Sequence, residues 1–259
     1  MTEVESNDQE LSFMEHLVEL RSRLLKACFA VLAVLVVLLP FSRKLYAMLA
    51  APLTAVLPEG SSMIAIDVAS PFLTPFKLAL LLALIIAIPV VLYQLWAFVA
   101  PALYRTEKRL ARPLLYSAVF LFYAGCAFAY FVVFPLVFGF FTRVAPEGVT
   151  VMTDISKYLD FVITLFLAFG ITFEVPIATI ILVATGITTI DKLKKMRAYV
   201  LVGAFAMGML LTPPDVISQT LLALPMWLLF EIGLIMAWLL LPHRRGGDSE
   251  PPESDQANS

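Results

Sequence analysis

The chain has 259 residues, of which 61% are hydrophobic and 15% are charged, with a formal net charge of −2. Soluble domains are about 45–50% apolar and about 25% charged, and folding at this length still leaves roughly a quarter of the unfolded chain's surface exposed. The composition therefore excludes an ordinary soluble enzyme, a disordered chain and a nucleic-acid-binding protein, and it predicts an integral membrane protein.

Six apolar segments follow in chain order, and we interpret each as a helix that crosses the bilayer, which takes roughly 20 residues. They predict an all-α membrane protein with transmembrane helices at about 24–41, 78–100, 114–138, 159–185, 198–211 and 217–241. These helices form one membrane domain, 1–245. The acidic tail that follows, 246–259, is rich in Gly, Pro and Ser and is predicted to be disordered.

The last two predicted helices are short. The segment 198–211 reaches about 21 Å at 1.5 Å per residue, and the apolar part of the sixth helix before Glu231 is equally short, against a hydrocarbon core of about 30 Å. Such a hairpin should thin the bilayer or be covered by a partner, unless the helix ends are misplaced.

Interior prolines predict bent helices, because each removes a backbone donor and clashes with the preceding turn. They lie in four of the spans, at Pro89, Pro135, Pro176 and Pro225. We therefore expect a bent, concave bundle.

The distribution of Lys and Arg predicts the orientation, since cytoplasmic loops carry an excess of both. Thirteen of the 18 fall on one side, which includes both ends of the chain, so both termini and the tail are predicted to be cytoplasmic. Residues 1–19 carry six acids and no Lys or Arg, unlike a cleavable signal sequence, so this segment is expected to be retained.

The segment 12–26 has the pattern of an amphipathic helix, with a capping box formed by Ser12 and Glu15. Glu19 has two interpretations. It has the i,i+4 spacing for an ion pair with Arg23, which contributes only a few tenths of a kcal/mol. Alternatively, it is a carboxylate displayed at the membrane surface to receive a cation.

Glu107 leaves a similar choice open, because it is the sole acid in a loop with four basic residues, Arg105, Lys108, Arg109 and Arg112. It either reduces repulsion within the loop or binds a ligand. Arginine is the natural ligand for a carboxylate, since its planar fork pairs with both oxygens.

Glu174 lies in the middle of the fourth span, where an acid is costly unless it is paired, protonated or hydrated. It is therefore a candidate functional group. The alternative is a neutral carboxyl that hydrogen-bonds to a carbonyl freed by Pro176.

Signatures of catalysis are missing from the sequence. It has no phosphate-binding loop, no zinc-binding His-Glu-x-x-His and no Gly-x-Ser-x-Gly turn, so no enzyme activity, metal or cofactor is expected.

The chain resembles the TatC family, the multi-spanning subunit of the twin-arginine protein translocase, over roughly residues 11–240. Six segments carry the resemblance: 16–24 (HLVELRSRL), 70–72 (SPF), 93–109 (YQLWAFVAPALYRTEKR), 128–141 (FAYFVVFPLVFGFF), 169–177 (FGITFEVPI) and 209–231 (MLLTPPDVISQTLLALPMWLLFE).

The resemblance implies export of folded proteins across the bacterial inner membrane, driven by the proton-motive force. Glu19 and Glu107 would hold the two arginines of a twin-arginine signal peptide, with His16 and Phe98 nearby. Glu174 would be the family's intramembrane acid. The single-span subunits TatB and TatA would contact the last two helices around the outer turn, where the candidate residues are Met209, Leu210, Thr212, Pro213, Asp215 and Gln219. Self-association in a larger complex is also expected.

A competing hypothesis is an ion- or proton-coupled secondary transporter that uses Glu174 as the carrier group. Such transporters usually contain internal repeats and several buried polar residues near the midplane. No convincing repeat is present, and Glu174 is nearly alone.

Overall fold

The computed structural model describes residues 2–54, 64–104, 111–137, 139, 154–211 and 216–241. This part of the chain is helical, and its β pairing is limited to one isolated bridge between Ile64 and Asp154. In chain order its α-helices are α1 (Thr2–Leu38), α2 (Ser42–Thr54), α3 (Ser70–Tyr104), α4 (Ala111–Phe128), α5 (Ile155–Thr172), α6 (Val175–Ala184), α7 (Ile190–Lys195), α8 (Arg197–Leu211) and α9 (Val216–Leu240). The tail 246–259 lies outside the described residues.

The helical membrane fold is confirmed. Within the described residues, five helical segments are long and apolar enough to cross a bilayer: Leu17–Leu49, Ser70–Phe98, Arg112–Val137, Ile155–Ala184 and Gln219–Leu240. The predicted fifth span corresponds to α8, a shorter apolar helix of 15 residues, or about 22 Å. The fold is thus compatible with six spans.

The first helix is longer than the sequence pattern predicted. The capping box places a helix start at Ser12, whereas α1 begins at Thr2 and continues without a break to Leu38. The acidic segment 2–11 contains neither Gly nor Pro, so nothing in it terminates a helix. The amphipathic segment and the first apolar segment therefore form one helix, which packs along α3.

The prediction that both of the last two helices are short holds for α8 and is wrong for α9. The last helix has 25 residues, about 37 Å, and continues past Glu231. It continues because the Glu231 carboxylate is paired with Arg197 at the start of α8, so the acid does not mark the end of the apolar helix.

The backbone is irregular near two of the four prolines that predicted bent helices. A π-helical turn, Ala129–Val133, precedes Pro135 and continues α4 to Val137. The fourth span is interrupted between α5 and α6, directly before Pro176. Both irregularities accommodate a ring that cannot follow an ideal preceding turn.

The two largest of the four buried apolar clusters of the described residues meet at the fourth span. The Trp96 cluster joins α3, α4, α6 and α9, and includes Leu92, Trp96, Phe122, Ile180 and Leu234. The Phe169 cluster joins the end of α4 to α5, α8 and α9, and includes Val133, Val162, Phe169, Ala204 and Leu222. The many exposed apolar side chains on the outer faces suit a lipid environment.

Candidate functional site

Glu19 lies on α1, and its carboxylate is already occupied by a guanidinium. Glu19 Oε1 accepts hydrogen bonds from both Nε and Nη2 of Arg23, with Nε at 2.9 Å. The i,i+4 pair expected from the sequence is therefore confirmed. Both side chains are partly shielded, with 39% of Glu19 and 24% of Arg23 exposed.

An apolar groove lies beside this ion pair, between α1 and the second half of α3. Its volume is about 140 Å³, and its walls are mostly apolar. It is lined by Leu20, Arg23, Leu24, Ala27, Val91, Gln94, Leu95 and Phe98. The structure thus places Phe98 and Arg23, the partner of Glu19, on the walls of one groove.

The other two candidate residues lie wholly or partly outside the described residues. Glu107 lies outside the described residues, and so do its basic neighbours at 105, 108 and 109. The backbone of His16 belongs to α1, one turn before Glu19, and its side chain lies outside the described part.

Glu174 caps the start of α6 at the interruption of the fourth span. Its N–H donates to the Ile171 carbonyl at 3.0 Å, and its own carbonyl accepts from the N–H of Ala178 at 2.9 Å. Its Oε1 atom is buried and has no hydrogen-bond partner among the described residues. The side chain therefore does not make the hydrogen bond to a proline-freed carbonyl that the structural alternative required.

The predicted partner-contact residues near the outer turn fall into two groups. Thr212, Pro213 and Asp215 lie outside the described residues. Met209 and Leu210 are exposed near the end of α8, with Leu210 at 80%.

Gln219 points towards α8. Its Nε2 donates to the carbonyl of Phe205 at 2.8 Å, so the amide group ties the two last helices together. The approach is close, because a Cβ on Gly208 would lie 3.2 Å from both Cγ and the carbonyl oxygen of Gln219.

Two ion pairs between helices were missed by the sequence analysis. Arg197 Nη2 donates to Glu231 Oε2 at 2.7 Å, and Lys77 Nζ donates to Asp160 Oδ1 at 2.7 Å. A signal for the first pair was present, because Arg197 and Glu231 stand at similar distances from the turn that joins α8 to α9.

A second, larger apolar cavity lies between the end of α4 and the first half of α9. Its volume is about 540 Å³. It is lined by Phe128, Val132, Val133, Leu136, Val216, Thr220, Leu221, Leu224 and Pro225. The π-helical turn of α4 thus forms one of its walls.

This chain is similar to known proteins in both sequence and fold. A sequence model of the family described as Sec-independent protein translocase protein (TatC) matches residues 15–225. The chain belongs to the TatC family. A TatC protein of Azotobacter chroococcum mcd 1 is 57% identical over 255 residues, which cover 98% of each chain. One of Escherichia coli K12 is 59% identical over 222 residues, 86% of each chain.

The fold of this chain also matches that of a solved TatC protein. A crystal structure described as the twin-arginine translocase receptor TatC superposes with a TM-score of 0.77 at 38% identity, over 86% of this chain and 98% of that one. The protein is therefore a membrane component of the Sec-independent, twin-arginine protein translocase. Its family has a transport function, and the translocase interpretation is favoured over a secondary transporter built around Glu174.

Proposed function

We propose that this protein is the receptor subunit that binds twin-arginine signal peptides of folded cargo proteins. The observation that carries the proposal is the bonding of Glu19 to a guanidinium beside an apolar groove. A carboxylate that accepts two N–H bonds from an arginine of the chain can also accept charge-assisted hydrogen bonds from an arginine of a peptide.

Two acids serve two arginines in this proposal. Glu19 binds one arginine of the signal peptide and Glu107 binds the other, with His16 and Phe98 beside them. The apolar walls between α1 and α3 reduce the access of water to the pair. Partial desolvation strengthens charge-assisted hydrogen bonds, which are worth roughly 1.5–3 kcal/mol.

Assembly and orientation complete the proposal. The chain lies in the bacterial inner membrane with both termini cytoplasmic, so the Glu19 surface faces the cytoplasm. The single-span subunits TatB and TatA contact α8 and α9, where Met209 and Leu210 are exposed. The complex contains further copies of this chain, and the proton-motive force drives export. Labelling of a cysteine in the tail from outside intact cells would contradict this orientation.

The test is the affinity of a twin-arginine signal peptide for the purified, detergent-solubilised protein. We expect Glu19→Gln and Glu107→Gln each to weaken binding by about one to two decades, since 1.4 kcal/mol is tenfold. Alanine should be only slightly worse than Gln, because arginine recognises the charge. A Lys-Lys peptide should bind poorly to the unaltered protein, since an ammonium group cannot form the planar fork.

A matched control removes an acid away from this surface. Asp191 is an exposed acid of α7 that pairs only loosely with Lys194, at 3.3 Å, so Asp191→Asn should leave binding unchanged. Photocrosslinking from positions 19 and 107 to the peptide locates the contact independently. Undiminished binding by the double Glu19→Gln, Glu107→Gln variant would refute the proposed site.

A further inference from the structure

The proposed binding site for an arginine already contains an arginine of the protein itself. Arg23 presents one edge of its guanidinium, Nε and Nη2, to a single oxygen of Glu19. A peptide arginine that binds Glu19 needs the same carboxylate, and its positive charge would repel that of Arg23 if both stayed bound. Two guanidinium groups therefore compete for one acceptor group.

We infer that Arg23 is an internal competitor that sets the affinity of the Glu19 site, and that an incoming arginine displaces it. This inference rests on the proposed function, because it assumes that Glu19 receives a peptide arginine. Arg23 is then neither a ligand-binding residue nor a mere helix-stabilising one. It is a residue that raises the Kd of the site.

The size of the effect follows from the strength of the internal pair. If Glu19 is free for only a fraction of the time, the apparent Kd is the intrinsic Kd divided by that fraction. Partly exposed i,i+4 ion pairs correspond to pairing constants of about two, so the apparent Kd should rise about two- to fourfold. The internal pair is thus weak enough for a peptide to displace.

A competitor of this kind has a property that distinguishes it from other roles. Every ligand that uses Glu19 meets the same internal competitor, so every such Kd is multiplied by the same factor. The ratio between the affinities of Arg-Arg and Lys-Lys peptides therefore does not depend on Arg23. Because the factor is common, a peptide that already has a high Kd is the first to remain unbound at a given peptide concentration.

When a peptide displaces Arg23 from Glu19, the Arg23 side chain can remain in the groove that it already lines. Arg23 and Gln94 line the same groove, from α1 and α3 respectively, and Arg23 is 24% exposed. Displacement therefore needs only a change of side-chain rotamer, with the helix backbone in place. Arg21, two residues earlier on α1, is exposed and forms no ion pair with any residue that the structure describes.

The experiment measures the Kd of Arg-Arg and Lys-Lys signal peptides for the full-length, solubilised protein and its variants. Arg23→Gln should lower both values by about two- to fourfold and leave their ratio unchanged. Arg21→Gln removes the same charge from the same helix and serves as the control for general repulsion of a cationic peptide. Its effect should be clearly smaller.

Two further variants locate the effect. Arg23→Met keeps an unbranched apolar stem in the groove, so it should tighten binding as Arg23→Gln does if the guanidinium is what competes. In a Glu19→Gln background, Arg23→Gln should no longer tighten binding, because the contested carboxylate is gone. Retained thermal stability and a monodisperse elution profile establish that each variant is folded.

The outcomes separate the inference from the proposed function. Unchanged peptide binding by Glu19→Gln contradicts the role of Glu19 itself. If Glu19→Gln weakens binding but Arg23→Gln weakens it as well, or tightens it no more than Arg21→Gln, the competitor role is wrong and the proposed site stands. A changed ratio between the two peptides would instead mean that Arg23 contacts the peptide.

Discussion

Two carboxylates of this protein are each bonded to an arginine, in very different settings. Glu19 and Arg23 lie four residues apart on one helix, beside an open groove. Glu231 and Arg197 lie 34 residues apart and join two antiparallel helices, with only 17% of Glu231 exposed. The first pair can open without moving a helix, whereas the second connects α8 to α9.

The difference shows that an ion pair within one helix and an ion pair between two helices contribute differently to binding and to stability. Opening the local pair removes a few tenths of a kcal/mol, so an outside ligand can compete for it. Opening the long-range pair leaves a mostly buried carboxylate, whose Oε1 already has no hydrogen-bond partner among the described residues. The α8–α9 region should therefore respond to substitution with a loss of stability, and the α1–α3 surface with a change in binding.

A large effect on stability is expected where α9 touches α6. A Cβ on Gly233 would lie 2.9 Å from the Cα of Pro176 and 3.1 Å from the Thr179 side chain. Gly233→Ala should destabilise the protein by about 1–3 kcal/mol through overpacking, because a backbone atom cannot move aside easily. The midpoint of thermal unfolding in detergent measures it.

Gly203→Ala is the matched control on the neighbouring helix. A Cβ at Gly203 would meet nothing within 4 Å, so this change should be neutral or stabilising by up to about 1 kcal/mol, as expected for alanine in a helix. Equal midpoints for the two variants would show that α6 and α9 are not as tightly packed as described.

The long-range ion pair should give the next largest effect. Arg197→Gln should cost about 1–2 kcal/mol, less than for a fully buried pair because half of the Arg197 side chain is exposed. Glu231→Gln should cost less, since it leaves no unpaired charge in the bundle. Adding it to Arg197→Gln should recover part of the loss.

Lys194→Gln is the control for this pair, because it alters an exposed ion pair within one short helix, α7. Its thermal midpoint should equal that of the unaltered protein. If Arg197→Gln behaved in the same way, the ion pair would not connect the last two helices energetically.

Glu174 is a third carboxyl to compare with these two, because it has neither a local nor a long-range partner among the described residues. Glu174→Gln and Glu174→Ala should each change stability by less than about 1 kcal/mol, since no bond of the described residues is lost. Export of a twin-arginine reporter should fall with Ala and less with Gln, which keeps a hydrogen-bonding group. Normal export by both variants would show that the carboxyl is not needed.

The smallest effect on stability is expected at Glu19. Glu19→Gln should lower the stability of the protein by only a few tenths of a kcal/mol, although it is expected to weaken peptide binding strongly. Thermal midpoints and peptide affinities measured on the same samples test this separation. A large drop in the midpoint would mean that Glu19 is a structural residue.

Local spacing predicted only some of these features. The Glu19–Arg23 pair follows from i,i+4 geometry, and the apolar segments predicted the helical membrane fold because bilayer thickness sets their length. The similar distances of Arg197 and Glu231 from the turn between α8 and α9 indicated that the two could pair, but did not establish the pair. It depends on the antiparallel register of α8 and α9, which tertiary packing determines.

The positions of two backbone irregularities were predicted by Pro135 and Pro176, but their form was not. Pro176 indicated a bend, yet the two-residue break before it, with Glu174 as the capping residue, depends on how α5 and α6 pack. The start of α1 was misjudged because a capping box marks a favourable start without terminating a helix that begins earlier. The grooves require side chains from two helices at once, which one segment of sequence does not describe.

The interruption of the fourth span has an evolutionary consequence. It assigns α5 to the Phe169 cluster and α6 to the Trp96 cluster, so most buried residues of the span contact one cluster alone. Effects of substitutions at sites without shared neighbours usually add. The two clusters can therefore drift in sequence with little epistasis between them. Phe166 packs against both clusters, so substitutions there should affect the two together.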